Sequence, residues 1–408
     1  MNRIVLIGNG FDLAHDIKTS YKHFIDHLWS EIISEINSKA LFEPFKNDLL
    51  NITQNLNFCK NRKDYSELKS ALNHVKTKYE FKNDFFRTIS EKHYLNNWVD
   101  IENEYYSQLK DLIKDPNKET KIIKLNSDFE VIIKLLKSYL TDINNGNTDK
   151  NSTIENHVNS YSNSNDFNES YVDERVKIEY ENLNRIIKII DDDEKYLLLE
   201  RDLDFYSEFI SSPDPLSKIR KRLKSDNANV FFDMFPKEVL FLNFNYTDTH
   251  SLYTDIRFYK NGDPTKPIIR SLQIHGSLDD KKKNPIIFGF GDELDDDYKS
   301  IEKLNNDFLD HIKSMKYLET GNYKQLLEFI NSDNYEVFIF GHSCGVSDRT
   351  LLNTLFENDN CISIKPFYYK EEGKDNFNDI IKNISRNFNN KVSMRDKVVN
   401  KTNCVPLT

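Results

Sequence analysis

The sequence predicts an α/β protein, with a parallel sheet assembled from one N-terminal strand and the C-terminal third of the chain around a large helical insertion. Three observations carry this. A short apolar run, Ile4-Val5-Leu6-Ile7, stops at Gly8-Asn9-Gly10, and such a run suits a strand buried on both faces of a parallel sheet. Between residues 21 and 210 apolar residues recur mostly three and four apart, which is helical spacing. After residue 236 short apolar runs return, most of them ending at Asn or Gly.

The elements follow in order. Tyr21, Phe24, Ile25, Leu28, Trp29, Ile32, Ile33 and Ile36 make one helical stripe, with Thr19 or Ser20 as its cap. Residues 98–112 and 121–140 show the same period. Residues 144–170 are dense in Asn, Ser, Asp and Thr. Such a stretch buries too little surface to offset its chain entropy, so it is expected to be a mobile loop. Helical spacing resumes over 176–210, and Ser211-Ser212-Pro213-Asp214-Pro215 is a turn. Strands are expected at 239–242, 269–275, 286–288, 337–340 and 362–367, with helices at 304–316 and 349–356. The expected organisation is a sheet domain of residues 1–24 and 236–408 carrying a helical cap of residues 25–235.

The formal net charge is -10, which argues against non-specific attraction to nucleic acid or anionic membrane. No apolar stretch is long enough for a membrane span, and the N-terminal run is too short for a signal peptide. The four cysteines form no Cys-x-x-Cys pair, so a zinc ribbon is not expected. A reduced, cytoplasmic protein is the expectation. The acidic run Asp292, Glu293, Asp295, Asp296, Asp297 lacks the ligand spacing of a calcium loop, so no metal is expected.

Two strand-end motifs point to chemistry. Gly8-Asn9-Gly10 supplies the first two glycines of a phosphate-binding turn, but Leu13 stands in the third place. The turn therefore reads either as a nucleotide cradle or as a structural bend, and Asp12 as a helix cap. Gly341-His342-Ser343-Cys344-Gly345 matches a nucleophile elbow between strand and helix. No histidine follows Ser343, so the hydrolase order of Ser, acid, His is missing. The turn reads better as a contact to ribose or phosphate, with Asp348 capping the next helix.

Taken together and in order, Gly8-Asn9-Gly10-Phe11-Asp12, Asn243-Phe244-Asn245-Tyr246-Thr247, Ile274-His275-Gly276 and Gly341-His342-Ser343 with Asp348 resemble the AbiH-type abortive-infection family of antiphage proteins. That family is similar in turn to sirtuin-like NAD-binding domains. The insertion matches mainly through Trp98-Val99-Asp100-Ile101-Glu102. The resemblance implies a Rossmann-like, sirtuin-like sheet with NAD as substrate or ligand. It implies catalytic roles for Asn245 and His275 beside the nicotinamide ribose. It implies cofactor contacts from Gly8, Asn9, Gly10, Phe11, Asp12, Asn243, Gly341, Ser343, Asp348 and Glu102. Thr247 departs from the pattern, which usually carries Asp there, and the zinc-binding cysteines of sirtuin deacetylases are absent.

The chemistry is coherent with such a site. Cleaving the nicotinamide–ribose bond builds an oxocarbenium-like cation. An amide such as Asn245 can orient water, a histidine can accept a proton, and a carboxylate such as Glu102 can stabilise the cation. Each residue also has a structural reading: strand-end bonds for Asn243 and Asn245, a satisfied histidine, a solvated helix face for Glu102. The functional expectation is an antiphage NAD glycohydrolase. The alternatives are a non-catalytic nucleotide sensor signalling to a partner, or a nuclease-type toxin. A phage-derived trigger, a partner protein or self-association are the expected interactions.

Overall fold

A computed structural model of the chain describes all residues except 41–42, 75, 97–98, 145–147, 193–205, 226, 261–262 and 292. Trp98, Asp292 and part of the expected 176–210 helix therefore lie outside the described residues.

Five strands form one sheet: β1 (Asn2–Ile7), β2 (Glu238–Asn243), β3 (Ile268–Gln273), β4 (Tyr335–Phe340) and β5 (Cys361–Phe367). Every pairing is parallel and the order is β5-β4-β1-β2-β3. The chain starts in the middle, fills one side with β2 and β3, then returns to the other side of β1 for β4 and β5. The strand order reverses between β1 and β4.

All six residues of β1 and of β4 are buried, as a strand covered on both faces requires. Side chains alternate across a strand. Ile4, Leu6, Leu240 and Leu242 accordingly face a core that includes Leu351, Leu352 and Leu355. Val5, Ile7 and Phe241 face the opposite core with Phe11, Ile154 and Val158.

The inserted segment begins after the short helix α1 (Asn9–Leu13). Helix α2 (Tyr21–Ser38) is capped by Ser20, whose side chain accepts from the His23 amide. The expected helices appear as α3 (Ile101–Leu112) and α4 (Lys118–Ile143). Their apolar stripes share one core with α2 and with Phe288, Phe290, Phe308 and Ile312 from the C-terminal third. The insertion is not wholly helical. Phe45–Lys46, Leu50–Gln54 and Lys78–Phe81 form a small antiparallel sheet.

The reading of 144–170 as a loop without a core is corrected. Residues Ser152–Val158 form helix α5, capped by Asn151, which accepts from the amides of Thr153 and Ile154. Ile154 and Val158 are buried beneath the sheet. The fully buried Arg3 of β1 donates to Val158 O and Ser160 O, each at 2.8 Å, and pairs with Glu336 of β4 at 2.7 Å. Ser162 donates to the other oxygen of Glu336. Composition counted only apolar surface, whereas this segment is held by caps and by a buried ion pair that needs polar partners.

Two further expectations change. Ile286-Ile287-Phe288 is not a strand; the Ile287 amide donates to His275 O and the side chains of Ile287 and Phe288 fill the core. The expected 304–316 helix is broken into Asn306–Leu309 and Lys313–Lys316. At the break, Phe290 and Ile312 form an isolated parallel bridge and the Lys313 amide donates to Phe290 O. The break carries Lys313 inward.

Candidate functional site

A cavity of about 310 Å³ opens beyond the carboxyl ends of β1, β2, β3 and β4, with α3 and α4 of the insertion on its far wall. It lies beside the reversal of strand order, where open parallel sheets bind ligands. Of the residues expected from sequence, Gly8, Asn9, Gly10, Asp12, Glu102, Asn245, His275, Gly341, Ser343 and Asp348 line it. Phe11 and Asn243 do not. Phe11 turns to the opposite core, against His15, Tyr253 and Phe340. Asn243 is a strand-end brace: its Oδ1 accepts from the Asn245 amide and its Nδ2 donates to Thr247 O.

The glycines bring two turns into contact. Gly8 N donates to Phe340 O at 3.1 Å and Gly10 N to Gly341 O at 2.8 Å. A Cβ at Gly8 would lie 2.5 Å from His342 Cα, and one at Gly10 would lie 2.8 Å from Gly341 O. Gly341 has φ +69°, and a Cβ there would meet Phe11 N at 2.1 Å. The structural reading of the motif therefore holds. The turn borders the cavity, yet the amides of Gly8 and Gly10 are committed to joining β1 to β4.

The side of the cavity nearest the insertion is a charged network. Lys313, with no exposed side-chain surface, sits 2.9 Å from Glu102 Oε1 and 2.8 Å from Asp348 Oδ1. Glu102 is also held by the Gly289 amide at 3.1 Å. Its solvated-helix reading is thus replaced by burial, because α3 packs on the sheet domain through Tyr106 and Phe290, whose rings stack. Asp348 is not a cap; its side chain makes no capping bond. Instead Oδ1 lies 3.2 Å from His275 Nε2 and Oδ2 lies 3.6 Å from His342 Nε2.

Hydrogen-bond roles set the imidazole tautomers. His342 Nδ1 accepts from the Cys344 amide at 3.0 Å, so its proton sits on Nε2, toward Asp348. His275 Nε2 faces the Asp348 carboxylate and the Tyr317 hydroxyl, both at 3.2 Å. An ionised carboxylate only accepts, so Nε2 carries the proton and Nδ1 keeps the lone pair. Phe244 packs edge-on between the two imidazoles.

Burial and charge distribute the protons. Burial lowers His275 to about 4, helped by the positive charge of Lys313. It is a neutral imidazole at pH 7, not the near-neutral titrating group expected. Asp348 would be raised by burial, but Lys313 and His275 outweigh this and hold it well below the usual carboxylate range. One ammonium serves two carboxyls: Asp348 takes the charge, while burial pushes Glu102 up to about 7 despite Lys313.

Asp12 is a third unusual carboxyl. It is no cap: Oδ2 accepts from Thr247 Oγ1 at 2.7 Å, and buried Oδ1 has no hydrogen-bond partner. Burial raises it to about 6 against the opposing pull of Thr247, Thr249 and Asn245. Asn245 itself donates through Nδ2 to Gly8 O at 3.0 Å. Its Oδ1 is the atom left to hold water or a hydroxyl.

Sequence reasoning missed Lys313, Tyr21 and the catalytic-range acidity of Glu102 and Asp12. Nothing in the local spacing around Lys313 singles it out. Asp100 was marked only as part of a motif; it caps α3 by accepting from the Asn103 amide and also lines the cavity. Among the described residues no group of His, Cys, Asp or Glu has the arrangement to hold a metal ion, and no helix is long and apolar enough to cross a membrane.

A parallel α/β sheet with a buried, acid-rich cavity at its carboxyl edge and an inserted segment closing it defines the class. The family model described as Bacteriophage abortive infection AbiH matches residues 4–370. The chain belongs to the AbiH family, and this association implies a role in abortive infection by bacteriophage. No curated protein and no solved structure matches it.

Proposed function

We propose that this AbiH protein binds NAD or a related nucleotide in the cavity and cleaves its nicotinamide–ribose bond during abortive infection. The observation that carries the reading is the meeting, beside the reversal of strand order, of Asn245, His275, Asp12 and Glu102 around one cavity. The order β3-β2-β1-β4-β5 is also that of a Rossmann-like sheet, which supports the sirtuin-like expectation.

In this reading Asn245 Oδ1 orients the attacking water and neutral His275 accepts a proton through Nδ1. Asp348 and Tyr317 hold the ring, and Asp12 or Glu102 faces the developing sugar cation. Glu102, at about 7, is better matched than His275 to proton transfer near neutral pH. The non-catalytic sensor is favoured by a different observation: Asn245 Nδ2 is tied to Gly8 O, so this residue also serves the turn.

The test is nicotinamide release from NAD by the pure protein, alone and with phage lysate. Asn245→Ala and His275→Ala are expected to lower the rate roughly 10²–10⁴-fold with the fold intact by circular dichroism. Wild-type protein that binds NAD but releases no nicotinamide under either condition supports the sensor instead. Protein that binds no nucleotide removes both readings.

A further inference from the structure

We propose that Lys313, which lies behind the cavity wall, is a positioning residue for His275: through Asp348, its charge keeps the imidazole proton on Nε2 and the lone pair on Nδ1. Its bearing on catalysis rests on the nucleotide reading above, in which Nδ1 accepts a proton.

Lys313 reaches this place through a local irregularity of the chain. The bridge between Phe290 and Ile312 interrupts the helical run, and the Lys313 amide donates to Phe290 O at 2.9 Å. Gly291 leaves room for the lysine stem, since a Cβ there would lie 3.0 Å from Lys313 Cβ. The Lys313 side chain is completely buried and does not line the cavity. It can therefore act on a bound molecule only through its neighbours. These are Glu102 Oε1 at 2.9 Å and Asp348 Oδ1 at 2.8 Å. The same Asp348 oxygen lies 3.2 Å from His275 Nε2. Ammonium and imidazole thus meet on one carboxylate atom.

Which nitrogen of a neutral imidazole carries the proton is set by the hydrogen bond its ring makes. An ionised Asp348 offers only lone pairs, so His275 Nε2 must donate. A protonated Asp348 would donate its own hydrogen to Nε2, and the ring would then carry its proton on Nδ1. Burial favours that protonated carboxyl, and Lys313 is the main influence against it. Other groups near Asp348 do not replace the ammonium. His342 Nε2 stands farther off, at 3.6 Å from Oδ2. Burial holds the Tyr317 phenol and the Cys344 thiol in their neutral forms. Glu102 competes for the same ammonium.

Burial and the charge of Lys313 also keep His275 from taking a second proton. Removing the ammonium therefore draws one proton from solvent into the cluster. If Asp348 takes it, the tautomer of His275 changes and Nδ1 becomes a donor. If His275 takes it, both ring nitrogens carry protons. The lone pair on Nδ1 is lost in both cases. Glu102 of α3 grips the same ammonium, so the docking of the insertion and the proton placement on His275 depend on one side chain.

The experiment reads the proton positions directly, by long-range proton–nitrogen correlation spectra of protein carrying isotope-labelled histidine at neutral pH. His275 is assigned by the signals missing in His275→Gln. Wild type is expected to show a protonated Nε2 and an unprotonated Nδ1 at His275. Lys313→Met leaves two buried carboxyls unpaired, so Lys313→Met combined with Glu102→Gln is measured beside it and leaves only Asp348 so. Both are expected to lose the unprotonated Nδ1 signal, and Glu102→Gln alone to retain it. Nicotinamide release by Lys313→Met should fall roughly 10²–10⁴-fold from wild type. A wild-type ring with its proton on Nδ1 overturns the proposal. So does an unprotonated Nδ1 that persists in either lysine variant, or release at the wild-type rate despite a changed tautomer. If wild type itself releases no nicotinamide, the nucleotide cleavage reading falls, and the tautomer of His275 in the variants still decides the role of Lys313.

Discussion

Asp12 lies just beyond β1 with one oxygen on Thr247 and the other unpartnered. Burial raises its pKa from 3.8 to about 6. A raised acid pKa means that the folded protein binds the proton more tightly than the unfolded chain. Its contribution to stability is therefore full below about pH 4 and lost as pH rises through about 6. Asp12→Asn keeps an oxygen for Thr247 and carries no charge, so it is expected to stabilise the protein at pH 7 by about 2–3 kcal/mol. It should also flatten the stability profile between the two values. Chemical denaturation at several pH values checks this, and a loss of stability at pH 7 would contradict it. The sequence marked Asp12 through its motif, but its acidity depends on burial, opposed by Thr247, Thr249 and Asn245, which follow β2 far along the chain.

At the scale of elements, the joint between β1 and β4 decides whether the cavity exists. Gly341 holds φ +69°, and any Cβ there would press to 2.1 Å from the Phe11 amide. Non-glycine residues adopt such a φ only with strain. Gly341→Ala is expected to destabilise by several kcal/mol, on the order of 3 or more, since strain and clash add. On the proposed reading, nucleotide binding should fall with it, because Gly8 and Gly10 are bonded through the same joint. A variant with unchanged melting temperature would refute the close-approach account. Strand positions were legible because β1, β2 and β4 each contain an unbroken apolar run of four residues. The helix α5 was not legible, because its order depends on Arg3 and Glu336, which stand on different strands.

For the molecule as a whole, Lys313 is the link between insertion and sheet. Its ammonium joins Glu102 of α3 to Asp348 after β4. Burial alone would lower its pKa, but the two carboxylates, Asp348 first, hold it above the usual lysine range. Lys313→Met is expected to leave two buried carboxyls facing each other and to cost about 3–5 kcal/mol. Adding Glu102→Gln and Asp348→Asn should restore most of that loss, because no uncompensated charge then remains. Denaturation of the single and triple variants measures the effect. If the triple variant is as unstable as the single one, Lys313 acts through packing and not through charge.

The sequence by itself determined the sheet, most long helices and the set of strand-end turns that surround the cavity. Those features rest on local periodicity and on glycines whose need is written into the turn. The resemblance to the AbiH family was legible in the same ordered motifs, and the family model covers residues 4–370. Only the tertiary structure decided which motif residues face the cavity. Phe11 and Asn243 share their motifs with lining residues yet point elsewhere: Phe11, on the turn of α1, packs into the opposite core, and Asn243 is held by strand-end hydrogen bonds. It also decided the proton distribution. The values of Glu102, Asp348 and His275 arise from burial and from one ammonium at position 313. Both depend on which groups the fold encloses together, and no spacing along the chain encodes that.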